Sequence, residues 1–186
     1  MDFSKAISLE DILIARDERS KKQKEIVDLY GVCVISFTVN IPGEYKDILM
    51  SRKIHYEGRN VLARLLRQKN ISIVHEEVYY KATGAEAFIA VDTDETLLKE
   101  VLVTLENNHP LGRLFDFDVI GKGYKIITRA DINQKNRRCL LCEEDAAACT
   151  RSRRHSYDKL MEEIYNITRR YFEEDEYKPY REKISS

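Results

Sequence analysis

A chain of 186 residues with 31 basic and 32 acidic side chains carries a formal charge of −1, which excludes a global positive field for nucleic acid and confines any anion site to a local patch. Its 43% hydrophobic content excludes wholesale disorder, and no apolar run approaches the roughly 20 residues of a membrane helix. The opening Met1-Asp2-Phe3-Ser4-Lys5 lacks a signal pattern, so a cytoplasmic protein is expected, whose four cysteines read as thiols or metal ligands rather than disulfides.

In chain order, Ser8 can cap a helix that runs through Leu9, Ile12 and Leu13 to about Tyr30, with Glu10 and Asp11 in its first turn and Gly31 ending it. Val32 to Val39 is dense in β-branched and aromatic residues and reads as a buried central strand, released by the turn Asn40-Ile41-Pro42-Gly43. A second helix follows from about Asp47 to Lys69, with Leu49, Ile54, Val61, Leu62, Leu65 and Leu66 near one face and Gly58 weakening its middle. Ile71 to Lys81 and Ala87 to Val91 form a hairpin around the turn Thr83-Gly84-Ala85. The third helix is expected from Thr93, as its cap, to Asn107, and His109-Pro110 stops it. A strand then leads through Gly121-Lys122-Gly123 to a return strand over Tyr124 to Thr128. After the polar Arg129-to-Arg138 segment, one continuous helix is predicted from about Leu141 to Phe172, followed by a charged, frayed tail. These elements predict one α+β domain over 1–186, with a mixed or antiparallel sheet, helices packed on one face, and a C-terminal helical extension over about 141–175.

The strand within Gly112-Arg113-Leu114-Phe115-Asp116-Phe117-Asp118-Val119-Ile120 is the most informative stretch. Alternate side chains of a strand share a face, so Asp116 and Asp118 project together while Phe115, Phe117 and Val119 fill the other side. Two hard carboxylate ligands suit Mg²⁺, which completes its shell with phosphate and water. Arg113 can clamp phosphate in a bidentate fork, and Gly112 would allow close approach to the backbone. The plain alternative is an exposed strand whose acids keep an edge soluble.

Cys139-Leu140-Leu141-Cys142, with Cys149 and His155 beyond it, supplies four ligands of the types zinc accepts. In a continuous helix Cys142 and Cys149 would lie about 10 Å apart along the axis. Zinc therefore requires a break after Cys142, where the sequence offers neither Gly nor Pro. Buried free thiols are the competing reading.

The ordered set from His109-Pro110 through the two aspartates to the cysteines and His155 resembles the phosphoribosyl-dephospho-CoA transferase family of bacterial citrate lyase. Arg16-Asp17-Glu18-Arg19, Ser36-Phe37-Thr38-Val39, Pro42-Gly43 and Lys46 extend the resemblance upstream, so that it spans about residues 8 to 165. It implies a nucleotidyltransferase-like fold and transfer of a phosphoribosyl-dephospho-CoA unit from its triphosphate donor to a serine of the citrate lyase acyl carrier (gamma) subunit, with release of pyrophosphate. Neither a nucleic acid nor a membrane partner is implied, although a malonate decarboxylase carrier stays open. On this reading Asp116 and Asp118 hold Mg²⁺ and Arg113 contacts the triphosphate. Lys46 reaches the leaving pyrophosphate, Ser36 and Thr38 touch the donor, and Arg16 and Arg19 present a small cationic face. His109 serves as general base for the serine or caps the preceding helix. The superfamily's further carboxylate has only Asp131 as a weak counterpart. The competing function is a non-catalytic, zinc-stabilised module that binds protein or RNA through Arg137, Arg138, Arg151, Arg153 and Arg154.

Overall fold

The computed structural model describes residues 5–173, so the expected tail after 173 and the first four residues lie outside it. Among the described residues the order is α1 (Leu9–Tyr30), β1 (Cys33–Val39), α2 (Leu49–Gln68), β2 (Ser72–Lys81), β3 (Gly84–Asp92), α3 (Glu95–Asn108), β4 (Phe115–Ile120), β5 (Ile126–Ile127), α4 (Ala146–Ser152) and α5 (Tyr157–Glu173). The strands form one sheet in the order β2-β3-β1-β4-β5. Each neighbouring pair is antiparallel, so the α+β class holds and the sheet is antiparallel rather than mixed.

Strand alternation gives the sheet two unlike faces. Ile35 and Phe37 of β1, Ala87 and Ile89 of β3, and Phe115, Phe117 and Val119 of β4 point into the main core with Ile54, Leu62, Leu98, Leu102 and Ile164 from α2, α3 and α5. On the opposite face Val34, Phe88, Ala90 and Ile120 pack against Ile26 and Val27 of α1. Helices thus cover both faces, which corrects the expectation of a single covered face. The second face needs cover only at one end, because from Ser36 and Asp118 onward its side chains turn polar.

Local chemistry sets the element ends. The Ser8 hydroxyl accepts from the Asp11 N–H at 3.1 Å and the Asp11 carboxylate accepts from the Ser8 N–H at 2.8 Å, while Gly31 closes α1 in the left-handed conformation at φ 65°. Asp47 is held in a two-pronged pair with Arg52 at 2.6 and 2.7 Å, and α2 begins only at Leu49. Gly58 is the close-approach point of α2 on the sheet, since a Cβ there would overlap the Phe37 ring. The cap of α3 is Asp94 rather than Thr93, for its carboxylate accepts from the Thr96 and Leu97 N–H groups at 2.9 Å each.

The return strand is shorter than expected. Tyr124 sits at φ 62° after the glycine turn, and Asp131 accepts from the Thr128 N–H at 2.8 Å, turning the chain away from the sheet. The continuous helix expected over 141–172 is broken as well. Asp145 caps α4 through the Ala147 and Ala148 N–H groups, and Arg153 leaves it in the left-handed region at φ 48° before α5 starts at Tyr157. Capping chemistry made this break without Gly or Pro.

Candidate active site

Asp116 and Asp118 lie on β4 with their side chains on the polar part of the second face. In the β1–β4 register Thr38 stands opposite Asp116 and Ser36 opposite Asp118. The β1–β3 register extends one of these rows, with Glu86 opposite Thr38. One patch of sheet therefore carries Glu86, Thr38 and Asp116 in line, with Ser36 and Asp118 beside them. Burial and, next, the neighbouring Asp116 raise the pKa of Asp118, although Lys99 and Arg19 oppose the shift.

Because β5 pairs only with Val119 and Ile120, the outer edge of β4 beside the aspartates has no neighbouring strand among the described residues. Two buried side chains of α3 take that place. The Glu106 carboxylate accepts from the Phe117 N–H at 3.1 Å, and the Lys99 ammonium donates to the Phe117 carbonyl at 3.0 Å. Glu106 also binds Arg129 and, at 2.7 Å, Arg137, whose guanidinium lies 3.4 Å from Asp116. Next to this hub opens a cleft of about 500 Å³ whose cationic lining comprises Arg113, Arg129, Lys135, Arg137 and Arg138, with Glu106 as the one acid among the described residues that line it. A cleft of this charge beside two carboxylates is suited to a polyphosphate with its counter-cation.

A second cluster stands behind the cleft wall. One ligand atom each from Cys139, Cys142, Cys149 and His155 lies within 4.8 Å of the others. The Cys142 sulfur is 3.6 Å from that of Cys149 and 3.3 Å from His155 Nε2. This set can hold a metal ion, and the break before and after α4 is what brings it together. Burial of Cys149 and its hydrogen bonding to Cys142 push that thiol up to about 11. Burial acts most strongly on Cys139, but the Leu141 and Cys142 N–H groups together with hydrogen bonds to Cys149 and Cys142 hold this thiol below its ordinary value.

The family model of apo-citrate lyase phosphoribosyl-dephospho-CoA transferase matches residues 7–171. The chain belongs to that family. Over 167 residues, 89% of this chain and 94% of the relative, it is 35% identical to a Vibrio cholerae O1 protein named probable apo-citrate lyase phosphoribosyl-dephospho-CoA transferase. Proteins of that name, without "probable", from Escherichia coli O7:K1 and Citrobacter koseri are 36% and 35% identical over 156 residues, 84% of this chain and 85% of each relative.

The family member's structure gathers some of the residues singled out in the sequence and separates others. Asp116, Asp118, Ser36 and Thr38 share one patch. Arg19 reaches it from α1, donating to the buried Glu86 carboxylate at 2.6 and 3.0 Å, while Arg16 is exposed one helical turn away. Arg113 does not lie on the strand as expected but in a 3₁₀ turn over Gly112–Leu114, because β4 starts only at Phe115. Its guanidinium lines the cleft and donates to the carbonyl oxygens of Arg138 and Cys139. Gly112 is needed for packing, since a Cβ there would overlap the Glu106 carbonyl at the end of α3. Lys46 donates to the Ile41 carbonyl in its own loop, and burial lowers its pKa. Asp131 is tied to Lys125 and Thr128, away from the aspartates.

His109 is not brought to the acids. It is the residue that ends α3, its ring stacks on Phe115 on the other face of the sheet, and its Nδ1 accepts from the Leu111 N–H at 3.1 Å. Burial and then Arg64 push it down to about 4, so it is a neutral ring in the core. The arginine patch behind the binding-module reading is partly neutralised, with Arg137 turned in to Glu106 and Asp116, Arg138 paired with Glu143 and Arg154 with Glu144. Glu86 and Glu106 are neighbours of the candidate residues that the sequence reading missed. The available signal for Glu86 was a lone charge among Ala85, Ala87 and Phe88, which a turn ending at Ala85 had left outside the strand. No helix among the described residues is long and apolar enough to cross a membrane.

Proposed function

We propose that this chain transfers the phosphoribosyl-dephospho-CoA group to apo-citrate lyase, as its family name states. The observation that carries the reading is the junction between Asp116 and Asp118 and the arginine cleft, joined through Arg137. The donor is 2'-(5''-triphosphoribosyl)-3'-dephospho-CoA and the acceptor a serine of the acyl carrier (gamma) subunit. The serine oxygen forms a bond to the α-phosphorus, the α–β phosphoanhydride bond breaks, and pyrophosphate leaves with its electron pair. The hydroxyl proton passes to a base other than His109, whose neutral ring is packed in the core on the opposite side of the sheet.

Catalysis of such a transfer comes from positioning and from charge placed around phosphate oxygens. Arg113, Arg129, Arg137 and Arg138 bind the triphosphate, and Arg137 aligns its end with Asp116. Glu86, held between Arg19 and Lys81, fixes those cations against the polar patch, and Thr38 and Ser36 form its floor. The donor set fits Mg²⁺, because two carboxylates share a face of the sheet and a cation between them would offset their mutual repulsion. Bound there, Mg²⁺ would supply the positive charge that draws the α-phosphate toward the acceptor and offsets charge on the leaving group.

We read the sheet as nucleotidyltransferase-like on the strength of the Asp116-x-Asp118 strand. Glu86 adds an acid to the same face but two strands away, and its ion pairs make it an anchor for cations. A zinc ion at the cysteine–histidine cluster completes the reading in a structural role. The reading is tested by pyrophosphate release from donor, apo-carrier and Mg²⁺. Release that needs all three and is lost in a folded Asp118→Asn variant supports it, and release unaffected by that substitution contradicts it.

A further inference from the structure

We infer that zinc at Cys139, Cys142, Cys149 and His155 acts as the clamp of the arginine wall, so that metal occupancy sets how tightly the cleft binds polyphosphate. Two of the ligand-atom pairs already stand near tetrahedral spacing, and all four atoms lie within 4.8 Å of one another. With Zn–S near 2.3 Å and Zn–N near 2.0 Å, sulfur pairs should lie about 3.8 Å apart and sulfur–nitrogen pairs about 3.5 Å. The observed 3.6 Å between Cys142 and Cys149 and 3.3 Å between Cys142 and His155 need only small adjustments.

Apart from Leu140, half-buried against the main core, the surrounding segment has little apolar burial to hold it. The helix α4 has seven residues, below the length that is stable alone, and Cys149 is its one buried residue. The chain on either side is folded around the sulfurs by backbone bonds. The Cys139 N–H donates to the Glu144 carbonyl at 2.7 Å, the Ala146 N–H to Arg137 at 2.8 Å, and the Arg154 N–H to Cys149 at 3.1 Å, which returns His155 to the cluster. A metal cross-link adds fixation to a segment whose apolar anchor is Leu140.

The clamp is continuous with the cleft. Arg137 and Arg138 immediately precede the first sulfur ligand, and both line the cleft. Arg113 donates to the carbonyls of Arg138 and of Cys139 itself, while Arg137 crosses to Glu106 and Asp116. Release of Cys139 therefore frees the backbone that aims two cleft arginines. Loss of one or two charge-assisted hydrogen bonds to phosphate corresponds to roughly 10- to 100-fold in affinity.

The inference rests on the proposed transferase reading only in taking a polyphosphate as the cleft's ligand. Zinc per chain is measured in the full-length protein, and inorganic triphosphate binding is followed by calorimetry in the zinc-loaded and chelator-stripped forms. The same is done for Cys142→Ser, with Cys33→Ser as a control in the buried strand β1. Unchanged far-ultraviolet dichroism confirms the sheet in each form, and cobalt substitution reports thiolate ligation by its charge-transfer absorption. The expected result is one zinc per chain with three thiolate ligands, lost in Cys142→Ser, and triphosphate affinity that falls roughly 10- to 100-fold on stripping and recovers when zinc is restored. A protein without zinc, or with a Cys142–Cys149 disulfide in its place, overturns the metal site, and unchanged affinity after stripping overturns the clamp. Carrier modification by the zinc-stripped protein with an unchanged KM for the donor refutes this inference alone. Zinc-dependent triphosphate binding without carrier modification supports the clamp and refutes the transferase reading.

Discussion

Replacing Glu106 probes the hub that joins strand, cleft and aspartates. Its side chain is only 4% exposed and serves three donors: the Phe117 N–H, Arg129 and Arg137. In Glu106→Gln the amide oxygen can still accept from Phe117, but the anion that holds two guanidinium groups is gone. Breaking a buried ion pair by removing one partner costs about 3 kcal/mol or more. At about 2–4 °C per kcal/mol for a chain of this size, Tm should fall by about 6–12 °C. Glu106→Ala additionally leaves the Phe117 N–H without its acceptor, a further cost of about 1–3 kcal/mol. Thermal unfolding of the three proteins at neutral pH tests both steps, and chevron-independent denaturant titration checks that m is unchanged. If Glu106→Gln stays within 2 °C of the parent, or if Ala and Gln are equally destabilising, the hub and strand-edge roles are wrong.

Asp118→Asn should raise Tm while reducing kcat at least ~100-fold, because it relieves a buried carboxylate beside Asp116 and removes charge the reaction uses; a lowered Tm with intact kcat would contradict this. Gly58→Ala should destabilise by about 1–3 kcal/mol despite the better helix propensity of alanine, since its methyl group meets the Phe37 ring, as a denaturant midpoint will report. His55 and His109 are each pushed from 6.5 to about 4, chiefly by burial, so the unfolded chain takes up protons first as pH falls. Stability should therefore be complete above pH 6.5 and decline toward pH 4, by roughly 3 kcal/mol per histidine. His55→Phe, which keeps the stack on Phe37, should flatten that decline, and an unchanged slope would refute the assignment.

The fold as far as β4 was legible because its signals are local. Ser8, Gly31, the β-branched run of β1 and the alternation around Asp116 each act within a few residues, and the structure follows them closely. The end of the chain was misread because helix propensity across Leu141 to Phe172 concealed the Asp145 cap and the left-handed Arg153. The site divides in the same way. Pairing of Asp116 and Asp118 follows from a period of two, whereas the roles of Glu86 and Glu106 depend on sheet register and on the open edge of β4, which bring together residues far apart in sequence. His109 illustrates the reverse case, because its titration range suggested chemistry while its neighbours Phe115 and Tyr171 place it in the core.

Intact mass of the citrate lyase acyl carrier, after incubation with this protein, Mg²⁺ and the triphosphoribosyl-dephospho-CoA donor, tests the central claim most directly. The account predicts a gain of one phosphoribosyl-dephospho-CoA unit that is absent with a folded Asp118→Ala variant. An unmodified carrier in the presence of folded, metal-loaded protein would contradict it.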